Sequence, residues 1–421
     1  MLNWSANDVG KPWPEAAQRA PRRGNSDNLR ESGAPNRRAM SAPNRRLLYV
    51  GVFDPHTPLS GTGQRARNLL RGISRRFVVD TVYMEGAGRP PIPEIVERFA
   101  GELPHVRRKV SVPFGSFRYY YYHPGLYRAA AELVDAERYD AVLCDYGVAA
   151  AYGLALNRRY NLPFVYLSHN VEHRLHLMKA RSDLRRLAFL PWTYAVERAG
   201  VRNSELLVAI SEAEAEFYER WKPREQIVVV PQGFDAAKFN PFYAQPERER
   251  KIVLFCGNFG IQFNLEAVRA FVNIAADKIL ERHPDTEFRF VGAYPPTDIR
   301  HPAVNFTGFV DDYAAELRSA DVFVTPVLAG MGSPTKVYEA LACGKQVVAT
   351  PMGARSVPTD YRSLHIAALE DFPAVVNRLL DDRPAPETAD FGRIRDEHSW
   401  PALVERLSDA IEASIEGAVR R

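Results

Sequence analysis

Apolar residues fall along this chain in two rhythms. Short unbroken runs alternate with stretches in which apolar positions recur every three or four residues. The runs predict strands buried on both faces, and the spaced stretches predict amphipathic helices. In the first half, residues 47–53, 77–83, 141–144, 163–167, 206–210 and 227–230 read as strands, with helical spacing over 65–73. The segment 241–250, rich in proline and charge, interrupts the rhythm. A second series follows, with strands at 252–256, 288–291, 305–306, 322–327 and 347–350 and a helix near 265–280. Residues 400–418 read as a closing helix. Strand–helix alternation of this kind predicts an α/β fold with parallel sheets.

The predicted organisation is therefore two doubly wound, Rossmann-like domains facing a central cleft near the carboxyl ends of both sheets. Residues 1–44, rich in Arg, Asn, Pro, Gly and Ser, read as a disordered basic leader. Residues 45–240 form the first domain, 241–250 a linker and 251–390 the second domain. Residues 391–421 are expected to form a C-terminal helix packing back toward the first domain.

Composition narrows the function classes. A net charge of +4 in 421 residues does not argue for nucleic acid. Cys144, Cys256 and Cys343 all lie in or beside apolar elements and lack metal-ligand spacing, which fits a reducing cytoplasm and no metal site. No apolar run approaches the ~18 residues of a membrane span, and the first residues lack a signal peptide's apolar core.

One segment carries unusual chemistry. Between the runs at 322–327 and 347–350 lies a short helix, with Ser333 as N-cap, Pro334 at the first helical position and Gly344 as the stop. Lys336 sits in its first turn, at the positive end of the helix dipole, which is locally unfavourable. An anion bound by the free amides after Ser333 and by the ammonium would explain it. Glu339, one turn on, shares its face. An ordinary surface pair of Lys336 and Glu339 is the alternative.

The order of motifs resembles the retaining GT-B glycosyltransferases of family 4, over roughly residues 45–415. Ser60, Gly61, Thr62, Gly63 and Gln64 stand where that family has its first glycine-rich loop. Ser168, His169 and Asn170 follow a strand where it carries an active-site histidine. Ser211, followed by Pro231, Gln232, Gly233, Phe234 and Asp235, is similar to the end of its first domain. Gly308, Phe309, Val310 and Asp311 match its "GfvdD" loop, and Glu339 to Thr350 match its "EAmAcGkPVVat" block. Two departures are present. Met331 stands where many members have a first glutamate, as in a subgroup reading K-x-x-E in place of E-x7-E. No basic residue follows the first strand of the second domain, where Asn258 and Phe259 stand.

The resemblance implies an enzyme, a hexosyltransferase-type glycosyltransferase, that moves a sugar from a nucleotide-diphosphate donor to a hydroxyl acceptor without a metal. No cofactor is expected beyond that donor. His169, Lys336 and Glu339 are the expected catalytic residues. Gly61, Thr62, Gly63, Asn258, Gly308, Phe309, Val310, Ser333, Pro334 and Thr335 are the expected donor-binding residues. Glycines at 61 and 63 would let backbone amides approach phosphates, although a plain flexible turn reads the same way. Tyr120, Tyr121 and Arg174 are acceptor candidates. With the basic and leucine-bearing stretch after His169, they suit a glycan or lipid-linked acceptor and a peripheral contact at the inner membrane face. The expected setting is polysaccharide or glycolipid biosynthesis. A nucleotide-sugar epimerase or hydrolase on the same fold, or a non-catalytic nucleotide-sugar-binding protein, are the alternatives.

Overall fold

The computed structural model describes residues 45–55, 61–85, 106–111, 122–180, 184–244, 250–330 and 334–420. The expected leader lies outside the described residues.

Among the described residues seven strands build the first lobe: β1 (Arg46–Gly51), β2 (Val78–Glu85), β3 (Val106–Ser111), β4 (Ala141–Asp145), β5 (Phe164–Leu167), β6 (Leu206–Ala209) and β7 (Ile227–Val229). They lie in the order β3-β2-β1-β4-β5-β6-β7, each pair parallel. Side chains alternate across the sheet. Leu48 and Val50 pack with Val82, Val142 and, from the helix Pro124–Ala136, Leu126. Leu47 and Tyr49 pack on the opposite face with Leu69, Leu70 and Ile73 of the helix Gly61–Ile73. Both faces are covered, which is why the strand sequences read as unbroken apolar runs.

The second lobe repeats the plan with β8 (Ile252–Cys256), β9 (Glu287–Val291), β10 (Val304–Gly308), β11 (Val322–Thr325), β12 (Gln346–Ala349) and β13 (Leu364–Ile366). Their order is β10-β9-β8-β11-β12-β13, again parallel. Strand order reverses between β1 and β4 in one lobe and between β8 and β11 in the other. A crevice outside the carboxyl ends at such a reversal is the usual ligand position in open α/β sheets. Periodicity did not reveal β3 or β13. Both are edge strands, short or charged, so neither carries an apolar run.

The chain enters the second lobe earlier than the break at 241–250 suggests. Phe234 and Phe239 already belong to its core, beside Leu254, Phe323 and Val347. The return is later than residue 391, because Phe391 and Ile394 of the helix Phe391–His398 belong to the same core. The two passages run side by side. Phe234 N–H donates to His398 C=O at 3.2 Å, and Trp400 N–H donates to Phe234 C=O at 3.1 Å. Paired single strands at one crossing make a suitable hinge.

The last helix, Trp400–Arg420, places Leu403, Leu407, Ile411 and Ile415 on one stripe, all buried in the first-lobe core. Each such burial contributes about 2 kcal/mol. The ion pairs at its edge, Arg76 with Asp409 and Glu412, are half-exposed and add little by comparison. Among the described residues no helix is long and apolar enough to cross a membrane.

Candidate active site

Lys336 sits in the helix Thr335–Ala342, which follows β11. The helix begins one residue later than capping chemistry suggests, with Pro334 at its N-cap and Ser333 outside the described residues. Lys336 Nζ donates to the backbone carbonyl of Cys256 at 2.7 Å, and the ammonium lies 5.4 Å from the Phe255 ring centre. Cys256 is the last residue of β8, so the lysine spans the β8–β11 reversal. A charge-assisted hydrogen bond contributes about 1.5–3 kcal/mol, against about 0.3–1 kcal/mol for the adverse dipole. Contrary to the sequence argument, no anion is needed to explain why a cation is tolerated here. The case for an anion rests instead on position, a half-buried ammonium at the carboxyl edge where ligands bind.

Glu339 lies on the next turn, half-buried. Burial pushes its carboxyl up to about 8, and the nearby Lys336 charge only partly opposes this. The free carboxyl is therefore mainly protonated at neutral pH.

The loops after β8, β9 and β10 meet at one edge. Gly257 N–H donates to Val291 C=O at 2.9 Å, and Gly292 N–H donates to Gly308 C=O at 2.9 Å. A Cβ on Gly292 (φ +146°) would lie 1.8 Å from the Gly257 carbonyl oxygen. The Gly292→Ala variant is expected to lose several kcal/mol of stability, about 3 or more, because backbone rather than a flexible side chain must yield. Thermal unfolding measures this, and an unchanged midpoint would contradict the close approach. Above this edge stand Phe309, three-quarters exposed, with Tyr294, Ile261 and Leu328, one from the loop after each of the adjacent strands β10, β9, β8 and β11. They form an apolar rim beside Gly308 and Val310. Asn258 has a more local task than expected. Its Oδ1 accepts from Gly260 N–H at 2.9 Å, closing a turn, and its carbonyl accepts from Asn264 Nδ2.

In the first lobe, Gly61, Thr62 and Gly63 are not a loop. They form the first turn of the helix Gly61–Ile73, with Gly63 buried. The amides of a helix N-terminus thus stand where a glycine-rich loop was expected.

His169, after β5, belongs to a buried network that sequence reading did not assemble. Its Nε2 is 2.8 Å from Asp145 Oδ1, at the end of β4, and Tyr49 Oη donates to Asp145 Oδ2 at 2.6 Å. Arg65, fully buried, donates to Ser168 C=O and Val230 C=O, each at 3.0 Å. Burial alone would raise the Asp145 carboxyl. The His169, Tyr49 and Arg65 groups outweigh it and hold Asp145 below its ordinary value. Burial lowers His169, with Arg65 adding to the shift and Asp145 opposing it. The result is an ionised Asp145 beside a neutral imidazole. A carboxylate only accepts, so Nε2 carries the ring proton and Nδ1 keeps its lone pair. The 3.4 Å contact of Arg65 Nη1 with Nε2 is the weaker one. Tyr146, next to Asp145, holds φ 87° and ψ 151°, a conformation costly for any residue but glycine, and its ring lies 5.4 Å from that of His169. Strain of this kind concentrates at functional sites.

Of the acceptor candidates, Arg174 is not drawn into this network. Tyr120 and Tyr121 lie outside the described residues. Arg174 is exposed and stacks 4.1 Å over the Phe217 ring. Glu214, on the first lobe's helix Glu212–Tyr218, feels the other lobe through the Arg355 charge. Burial still lifts its carboxyl to about 7. Among the described residues no group of three His, Cys, Asp or Glu side chains has a metal-holding arrangement.

Two family models match the chain. One, described as glycosyl transferases group 1, covers residues 250–382, and one, described as Glycosyltransferase Family 4, covers residues 59–238. A phosphatidyl-myo-inositol mannosyltransferase of Mycolicibacterium smegmatis is 30% identical over 182 residues, 40% of this chain and 46% of that protein. A D-inositol 3-phosphate glycosyltransferase of Arthrobacter sp. is 28% identical over 292 residues, 61% of this chain and 65% of that protein. The chain spans about half the length of the mannosyltransferases it matches. Among solved structures, sucrose-phosphate synthase from Thermosynechococcus elongatus superposes with a TM-score of 0.67 at 17% identity, over 89% of this chain and all of the other. Anabaena HepE in complex with UDP gives 0.65 at 13% identity, over 87% of this chain and all of the other. At such identities the likeness is one of fold.

Proposed function

Because the chain belongs to the GT-B glycosyltransferases, we propose that it transfers a sugar from a nucleotide-diphosphate donor to a hydroxyl acceptor with retention of configuration. The observation that carries this reading is the placement of Lys336 across the β8–β11 reversal, with its Nζ 2.7 Å from the β8 terminal carbonyl.

The bond between the anomeric carbon and the diphosphate oxygen breaks, and negative charge grows on the departing diphosphate. Fixed dipoles and cations aimed at that charge supply the main catalytic need. Lys336 and the free backbone N–H of Thr335 meet it from the second lobe, and the N-terminus of the helix Gly61–Ile73 from the first. The acceptor oxygen bonds to the same face of the sugar, and its proton passes to the departing phosphate oxygen. Neutral His169 then acts by orientation, its Nδ1 accepting a hydrogen bond from a sugar or acceptor hydroxyl. The apolar rim at Ile261, Tyr294 and Phe309 suits a nucleobase. The lobes close on the donor about the paired crossing at Phe234 and Ser399. No metal is assigned a part.

Two relatives are named for transfer involving inositol-bearing molecules. We extend that chemistry to a polyol hydroxyl on a glycan or lipid-linked acceptor, in polysaccharide or glycolipid assembly on the cytoplasmic side. Incubation with a panel of labelled donors and both acceptor types tests the reading. A new glycoside whose anomeric coupling matches the donor's supports it. An isomerised or hydrolysed donor, or binding without turnover, overturns it.

Glu339 gives a second test. Its free carboxyl, near 8, is mainly protonated at pH 7. Ribose hydroxyls donating to it favour the ionised form. Binding of a nucleotide-diphosphate sugar, whose phosphates do not titrate near neutrality, is expected to release close to one proton at pH 7, and affinity is expected to rise with pH up to about 8. Calorimetry in buffers of different ionisation enthalpy reads the release. A proton count of zero removes Glu339 from the ribose.

A further inference from the structure

Five of the fourteen large hydrophobic side chains exposed among the described residues fall within one short stretch: Leu177, Leu184, Leu187, Trp192 and Tyr194. Three packed pieces carry them, the helix Glu172–Lys179, the 3-10 turn Leu184–Phe189 and the helix Leu190–Asn203. No residue of the turn is buried, and Leu184 is 74% exposed. On the longer helix Thr193, Val196, Glu197, Gly200 and Val201 face the core. Pro191, Trp192, Tyr194, Ala195, Arg198 and Arg202 occupy the opposite face, apolar at one end and basic at the other.

Among the described residues the exposed charge on this surface has one sign. Between residues 172 and 203 the exposed charged side chains among the described residues are Arg174, Arg185, Arg198 and Arg202. The acidic residues Glu172 and Glu197 are buried. Glu197 is turned inward, where Oε1 accepts from Glu172 N–H at 2.7 Å and Oε2 from His173 N–H at 3.2 Å. It thereby caps the helix Glu172–Lys179 and presents no carboxylate on the outer face.

We propose that this face docks on an anionic lipid bilayer. Leucines and a tryptophan at the level of the acyl boundary, with arginines reaching the phosphates, are the side chains an interfacial element needs. A nucleic acid would satisfy the arginines but leave the leucines unmatched. A two-fold contact with a second copy would set the same arginines against one another. The helix Glu172–Lys179 begins three residues after His169, so docking sets the His169 network close to the lipid surface. Delivery of a lipid-borne acceptor to that network rests on the transferase reading, whereas docking itself does not.

Vesicle co-sedimentation of the full chain, with no sugar donor present, tests the surface. Vesicles of phosphatidylcholine with phosphatidylglycerol are expected to bind it, and phosphatidylcholine alone is expected to bind it weakly or not at all. Each arginine removed, as in R185E or R198E, weakens binding roughly fivefold or more, and added salt weakens it further. The double variant L184E/W192E loses at least tenfold, with an unchanged thermal midpoint. F242S, at an exposed aromatic elsewhere, binds as the wild type does. Absence of binding to anionic vesicles overturns the proposal, as does binding insensitive to these substitutions. A wild-type dimer by light scattering that L184E/W192E converts to monomer would assign the face to a second copy instead.

Discussion

Replacing Lys336 with Met is expected to lower kcat/KM for the donor by about 10²–10³-fold, the scale of removing one preorganised stabiliser of a developing negative charge. Methionine keeps the length of the stem and its packing near Phe255 while removing the ammonium. The hydrogen bond to the Cys256 carbonyl is lost too, at a cost of about 1.5–3 kcal/mol at most. Stability is therefore expected to fall modestly while turnover collapses. Lys336→Arg separates charge from shape. The guanidinium retains the charge, but a planar fork does not reproduce an ammonium seated on one carbonyl, so partial recovery is expected. Steady-state rates over a donor series, alongside thermal unfolding, distinguish these effects. Turnover that survives K336M would dissociate the lysine from the leaving group, and the functional proposal would go with it.

Much of the scaffold could be read from residue order because both sheets are covered on both faces. Strands such as 47–53 and 252–256 declare themselves by unbroken apolar runs, and the stripe from Leu403 to Ile415 declares the last helix. The lobe boundaries were less legible. Proline and charge mark 241–250, but a core is defined by what packs, and Phe234 and Phe391 pack with the second sheet on either side of the expected limits. Lys336 and His169 stood out locally, one as a cation at a helix start, the other as a polar residue after an apolar strand. Their partners did not. Arg65 lies in a helix whose neighbours include Gln64, Arg67 and Asn68 and looks like any surface arginine, yet it is fully buried. Its acceptors are 103 and 165 residues away. A contact of that separation leaves no local trace. Asp145 did leave one, since it is a carboxylate closing the apolar run Ala141–Asp145, where burial demands a partner.

That carboxylate supplies the sharpest test of the first lobe. Asp145→Asn is nearly isosteric but neutral. It leaves one acceptor oxygen where His169 Nε2–H and Tyr49 Oη each need one, so the His169 proton is no longer fixed on Nε2, and it removes a negative charge that compensates buried Arg65. Leaving a buried cation poorly compensated costs about 3–5 kcal/mol, so a clear fall in the thermal midpoint is expected. Activity is expected to fall further than stability explains, by about 10²-fold, at temperatures where the variant remains folded. Two readouts separate positioning from mere stability. Nitrogen chemical shifts of His169 should report one neutral tautomer in the wild type and a mixture, or the other tautomer, in D145N. The acid limb of stability should also change. The folded carboxyl of Asp145 titrates below its unfolded value near 4, so its contribution is complete above that pH and is lost as pH falls through the lower folded value. The variant has no such contribution to lose, and its stability should fall less steeply on acidification. If D145N kept the wild-type tautomer and full activity at matched folded fraction, His169 would owe its orientation to packing against Tyr146 and Arg65 rather than to the carboxylate.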